Sequence, residues 1–288
     1  MLGPTTVKNC LDDIQDIFHL EWLHVTGGEP FLFQNSLMEI IKIGKDHGIS
    51  NIGTVTNAFW ATSRDIAIRL LDKFKDAGLT GLCVSADSFH QAYIPLERIK
   101  NAIHAMKYLN LNGHSFVVSC FIGPTKRDSP QDKKTLAILE ELKDFGIPLA
   151  EVFVRPLGKG LSVYGYGDNG SIDGPCEELC VCLGDIGFQE PQMVYVDPYG
   201  FVQICYGLTA GSIKKKSFKN ILTEYESSQN TIIDTIAHIG PVGLLPLAEK
   251  MGYKKKNAYK NKCHLCYDAR KFLIPYYPDT LSPQECYP

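Results

Sequence analysis

No stretch of this sequence is long and apolar enough to cross a bilayer, which takes about 20 mostly apolar residues. The opening residues, MLGPTTVKNC, lack the basic region and small-residue cleavage site of a secretory leader. An excess of charge is also missing: 29 Lys and Arg stand against 32 Asp and Glu, a net charge of −3. Nucleic-acid binders usually show a strongly basic face, and the lysine runs Lys214–Lys216 and Lys254–Lys256 read as short solvated loops. Neither a membrane nor a nucleic acid is therefore expected as a partner. The expected compartment is the cytoplasm, where thiols stay reduced.

What is present is the composition of a soluble globular protein, with 288 residues, 44% of them hydrophobic and 21% charged. That length supports one large α/β domain and a smaller appendage. The ten cysteines are unevenly placed. Cys10, Cys83, Cys120 and Cys286 are scattered, and Cys83 and Cys120 fall in apolar runs where a thiol packs as a small hydrophobe. Cys176, Cys180, Cys182, Cys205, Cys263 and Cys266 crowd the second part, and in a reducing compartment such clusters hold metal more readily than they pair.

From residue 7 to about 155 the pattern alternates. Val7, Leu11, Ile14 and Phe18 fall at helical spacing and WLHVTG has strand length. The reading continues with helix 35–47, strand 51–56, helix 63–76 capped by Ser63, and strand 81–86. Helix 95–111, strand 115–122, helix 130–145 and strand 150–155 complete it. The strands lack polar alternation, so both faces are expected to be buried, as in parallel sheets of right-handed βαβ units. A repeat of about 30 residues fits a barrel or a doubly wound sheet, and the order begins with a helix, as if a first strand were missing. Beyond residue 156 the texture changes. LGKGLSVYGYGDNGSIDGP is loop-like, and MVYVDPYGFVQICYG reads as a β-hairpin about Asp-Pro-Tyr-Gly. Short helices and the closing CHLCYDARKFL follow. The division expected is 1–160 and 161–288.

Ligands of parallel sheets bind beyond the carboxyl ends of the strands, so the residues just past each strand carry the functional reading. The first is Gly27-Gly28-Glu29-Pro30. The glycines let backbone approach a ligand closely, and Glu29, held by Pro30, can accept bonds from a cationic amine. A plain strand-to-helix turn is the alternative. Next come Thr56-Asn57, then Ser85 and Asp87 on one side of their strand, where Asp87 can equally cap the next helix. Gly123-Pro124 and Arg155-Pro156 end the fourth and fifth strands.

Taken together, GGEP, TN and SADSFHQ resemble the radical S-adenosylmethionine (SAM) superfamily over residues 7–160. The resemblance implies a partial (β/α)6 TIM-like barrel with SAM at its rim. Gly27, Gly28, Glu29 and Pro30 would lie at the methionine amine, and Asn57, Ser85 and Asp87 near the ribose or carboxylate; His90 reads as structural. The family's Cys-x3-Cys-x2-Cys loop, which carries the SAM-cleaving cluster, is absent. Either the chain starts late, as the intact GGEP favours, or the protein has shed its cluster and kept the fold for binding. The strand at 22–26 would then be an open edge, to be covered by a partner or a second copy.

The tail supplies Cys263-His264-Leu265-Cys266, read as a loop that brings two thiolates to one metal, and Gly200-x4-Cys205. This arrangement resembles the twitch subdomain, the short form of the SPASM extension. The resemblance implies an auxiliary [4Fe–4S] cluster on Cys182, Cys205, Cys263 and Cys266, with Cys176 or Cys180 as alternatives to Cys182. A structural zinc ion is the competitor. The function so implied is that of a radical SAM iron–sulfur oxidoreductase or peptide- or metabolite-modifying enzyme. Its alternatives are a non-catalytic binding or scaffold protein with a structural metal, or an unrelated α/β protein with a zinc module.

Overall fold

The computed structural model describes residues 2–111, 114–122, 127–155, 157, 160 and 187–288. The chain forms two units, Gly3–Val154 and Arg155–Pro288.

The N-terminal unit is a mixed α/β structure on a five-stranded parallel sheet. Helix α1 (Pro4–Ile14) leads to β1 (Trp22–Val25), α2 (Gln34–Asp46) to β2 (Asn51–Thr56), and α3 (Arg64–Ala77) to β3 (Gly81–Ser85). Helix α4 (Leu96–Tyr108), β4 (Phe116–Phe121), α5 (Pro130–Leu142) and β5 (Leu149–Phe153) complete it. The strand order is β1-β2-β3-β4-β5, every pair parallel. There is thus no reversal of order and no switch point of the doubly wound kind. Right-handed crossovers in such an order lay successive helices side by side on one face, and α2 packs on α3 and α3 on α4. All five carboxyl ends point to the same rim.

Local chemistry sets the boundaries. Ser63 Oγ accepts a hydrogen bond from Ile66 N at 3.3 Å, satisfying one of the donors that a helix N-terminus leaves open. At the other end of α3, Gly78 adopts φ 122° and stops the helix. The core is one cluster in which Ile52, Leu82, Val117 and Phe121 from the strands meet Leu37, Leu71, Phe74 and Ile103 from the helices.

Two expectations are corrected here, and a third observation bears on the open edge. Helix α1 stops at Ile14, so Phe18 lies outside the helical stripe it seemed to extend. Burial of both faces holds for the central β3 but not for β5, where Leu149, Val152 and Phe153 are each at least 40% exposed. An apolar run therefore does not distinguish a central strand from an edge. Strand β1 pairs only with β2 among the described residues, and its first residue, Trp22, is exposed.

The C-terminal unit holds the expected hairpin and one strand more. Strands β6 (Tyr195–Val196), β7 (Phe201–Cys205) and β8 (Leu208–Ser212) form an antiparallel sheet. Asp197 builds its first turn: Oδ1 accepts from Tyr199 N and Phe201 N, and Oδ2 from Gln203 Nε2. Gly200 takes φ 87° there, a conformation that favours glycine. Helices α6 (Phe218–Thr223), α7 (Thr231–His238), α8 (Leu244–Glu249) and α9 (Lys262–Leu273) follow. A second core gathers Ile204, Leu208, Ile236, Leu244, Leu273 and Tyr287. The Cys-His-Leu-Cys segment is not a loop: Asn261 caps α9 by accepting from His264 N at 3.0 Å, so both cysteines lie in the first turns of that helix. No helix among the described residues is long and apolar enough to cross a membrane.

Candidate functional site

The rim at the carboxyl ends of β1 to β4 is organised by buried carboxylates that reach across to neighbouring strand ends. Gly27 and Gly28 take φ 97° and 58°. Open space lies where a side chain would stand on either, so the backbone conformation, not crowding, requires glycine. Pro30 then opens a 3-10 turn, Pro30–Phe33, and Glu29 caps it, Oε1 accepting from Phe31 N at 3.2 Å. The same oxygen accepts from Thr56 Oγ1 at 2.9 Å, while Oε2 accepts from Asn57 N at 2.7 Å. Glu29 thereby ties the end of β1 to the end of β2. Both of its oxygens are engaged from within the fold.

Thr56 is the hub of this knot. Besides donating to Glu29, its hydroxyl accepts from Ala58 N and from Trp60 Nε1, each at 3.0 Å. Asn57 turns its side chain back to accept from Phe59 N at 2.9 Å. Ala58, fully buried, is held at φ 58° between them.

Past β3, Ser85 is buried, and Asp87 is the second carboxylate, with its side chain only 2% exposed. Oδ1 accepts from Phe89 N and His90 N at 3.0 Å, and Oδ2 accepts from Cys120 N on β4 at 3.1 Å. Both oxygens lie 2.9 Å from His90 Nδ1. Burial alone would push the Asp87 carboxyl up, but the His90 imidazole and the backbone donors outweigh it and hold the group below its ordinary range. The bond to Asp87 raises His90 against the effect of its own burial, with a further push from the Glu29 charge. Asp132 repeats the device, accepting from Ile122 N at 2.7 Å.

In the turn that follows Asp87, Ser88 Oγ and both amide atoms of Gln91 are buried without a hydrogen-bond partner among the described residues. Buried polar atoms are rarely left so. Gly123, Pro124 and Pro156 lie outside the described residues, and Arg155 belongs to the other unit.

In the C-terminal unit, Cys205, Cys263 and Cys266 line one cavity of about 20 Å³ together with Arg155, Lys262 and Arg270. Three of the four cysteines singled out in the sequence are thus brought together. Cys182 and its alternatives Cys176 and Cys180 lie outside the described residues. Arg270 was not anticipated; the available signal was its place one helical turn after Cys266 on the same face. The scattered thiols behave as expected of packing groups. Burial pushes Cys10 up to about 11 and Cys83 up to about 12, and burial with the charges of Asp87 and Asp132 pushes Cys120 up to about 11.

No family model and no curated protein matches this chain. Twelve chains of solved structures do. One is the crystal structure of oxaloacetate acetylhydrolase, at 10% identity over 57% of this chain and 60% of that one, with a TM-score of 0.37. Another is that of 2,3-dimethylmalate lyase, a PEP mutase/isocitrate lyase superfamily member, at 11% identity over 51% and 54%, with a TM-score of 0.35. This chain therefore spans less than two thirds of either protein, and at this degree of likeness no activity passes from them to it.

The resemblance to the radical SAM superfamily is corrected by these findings. No family model supports it, and no group of three or more His, Cys, Asp or Glu that could hold a metal occurs among the described residues. The rim gives a physical reason for the misreading. Gly-Gly-Glu-Pro and Ser-x-Asp are explained here by turn geometry and by carboxylates that cap adjacent strand ends. SAM at the rim, the auxiliary [4Fe–4S] cluster and the radical oxidoreductase or scaffold functions built on them fall with the resemblance, and for the zinc alternative no metal-holding group occurs among the described residues.

Proposed function

We propose that the N-terminal unit is an arc of a (β/α) barrel that binds a small polar metabolite at its carboxyl rim and moves a proton there with His90. The observation that carries this reading is the Asp87–His90 pair. A buried carboxylate that accepts from Nδ1 fixes the imidazole ring and directs the exchangeable lone pair to Nε2, and the His90 side chain is 40% exposed. This is the arrangement by which a histidine serves as general acid or base. The unreversed strand order supports the barrel reading. The unpartnered Ser88 hydroxyl and Gln91 amide mark the turn beside His90 as the part of the rim that gains most from a polar ligand.

His90→Asn separates this role from a capping role, because the Asn amide can still donate to Asp87 while the titrating nitrogen is gone. Both tryptophans, Trp22 and Trp60, lie in this unit. Tryptophan-monitored melting against small carboxylates, amino acids and sugar phosphates therefore reports ligand binding directly. The expected result is stabilisation by one chemical class. For its turnover, His90→Asn should cost roughly 10²–10⁴-fold while leaving the unliganded melting temperature nearly unchanged. Equal stabilisation and turnover in the variant, or no response to any class, would reduce the pair to a turn cap.

A further inference from the structure

Arg270 is 2% exposed, deep in the C-terminal unit. Its Nη1 donates to Tyr206 O and to Tyr287 Oη, each at 2.9 Å, and its Nε has no partner. Arginine keeps its charge at any accessible pH, and a buried charge without a counter-charge is costly. No carboxylate lines the adjoining cavity among the described residues. Sulfur stands there instead: Cys205 and Cys266 line the cavity with Arg270, and against its burial they favour its charge together with Tyr287. Lys262 and Arg155 line the same cavity, so its charged side chains among the described residues are cations.

Cys263 and Cys266 stand three residues apart in the first turns of the 12-residue helix α9. Helix geometry puts their Cα atoms about 5 Å apart, within the range a disulfide spans. The positive end of the helix dipole faces the same turn. Cys-x-x-Cys pairs so placed, beside fixed positive charge, are the reactive ones.

We propose that Cys263 and Cys266 form a redox-active dithiol, oxidised by exchange with a low-molecular-weight disulfide such as glutathione disulfide, with Arg270 holding the reduced form. Cys263 Sγ attacks one sulfur of the glutathione disulfide, forming a mixed disulfide and breaking the S–S bond. The departing glutathione takes up the proton that Cys263 gives to solvent. Cys266 Sγ then attacks Cys263 Sγ, releasing the second glutathione as a thiol. Two protein thiols lose two electrons and two protons, and one glutathione disulfide becomes two glutathiones. Because Arg270 favours the reduced pair, the disulfide is the more oxidising for its presence, as in oxidants whose reduced form is stabilised.

The test equilibrates the full chain in glutathione buffers from fully reducing to fully oxidising, then maps maleimide-labelled cysteines by mass spectrometry. Expected is joint loss of label at Cys263 and Cys266, at one glutathione ratio and reversible by dithiothreitol, with no change at Cys83. Cys266→Ser should trap glutathione on Cys263, since the resolving thiol is gone. Label at both cysteines across the whole series would overturn the proposal. So would absence of label under fully reducing conditions that a chelator restores, which would mean the thiols are held by a metal.

Discussion

Thr56→Val is expected to lower the stability of the N-terminal unit by roughly 3 kcal/mol, from two newly orphaned buried donors at ~1–3 kcal/mol each. The substitution conserves shape, so packing changes little. What it removes is the oxygen that accepts from Ala58 N and Trp60 Nε1 and donates to Glu29. Trp60 and Ala58 are buried, so water cannot replace that oxygen. Glu29 keeps Phe31 N and Asn57 N and should remain in place. Urea unfolding followed by tryptophan fluorescence reads this directly. The midpoint should fall at an unchanged slope, and the Trp60 emission should shift before unfolding begins. A change below about 0.5 kcal/mol, the ordinary scatter of surface substitutions, would mean that the Thr56 bonds do not hold the rim.

Asp87→Ala should cost a similar amount, roughly 3 kcal/mol, because it strips three half-buried backbone donors on two chain segments of their acceptor. It carries a pH signature that Thr56→Val lacks. The Asp87 carboxyl titrates below its ordinary value of 3.8 in the folded protein, so its contribution is present above that value and lost as pH falls through the lowered one. His90 titrates above its ordinary value of 6.5, so its contribution is complete below 6.5 and lost as pH rises through the raised one. The difference in stability between wild type and variant should therefore be greatest between about pH 4 and 6.5 and shrink on both sides. In the variant, burial is left opposed only by the more distant Glu29 charge, and the His90 titration should move down. Histidine NMR from about pH 4 to well above 6.5 measures the shift. An unmoved His90 titration would show that Asp87 does not set its protonation.

Local signals in the sequence were read well where one residue's chemistry decides the outcome. Ser63 caps α3, β2 spans 51–56, and Asp197-Pro198-Tyr199-Gly200 turns the hairpin. The parallel sheet was legible because apolar runs alternate with amphipathic helices at a steady interval. The failures share a different cause. Whether Leu149–Phe153 is an edge or a central strand depends on its neighbours, not on its own apolar content. Glu29 and Thr56 lie 27 residues apart, and Asp87 and Cys120 are 33 apart. A motif read along the chain offers Glu29 and Asp87 as ligand groups; only the fold shows that their oxygens are already bonded within it. Arg270 was missed for a similar reason, since an arginine in a polar-looking helix gives no sign that it will be buried.

Ala58 carries one more consequence. An alanine at φ 58° stores about 1 kcal/mol of backbone strain, and nothing in its own side chain repays it. The loop keeps its shape only while Thr56 and Glu29 grip the segment on either side. It is a loaded catch rather than a relaxed turn: once those bonds part, the strain drives the segment open. The tip of β2 is thus where a lost hydrogen bond is felt first, and because Ala58, Trp60 and Ala61 belong to the core, the loss is passed on to the floor of the rim.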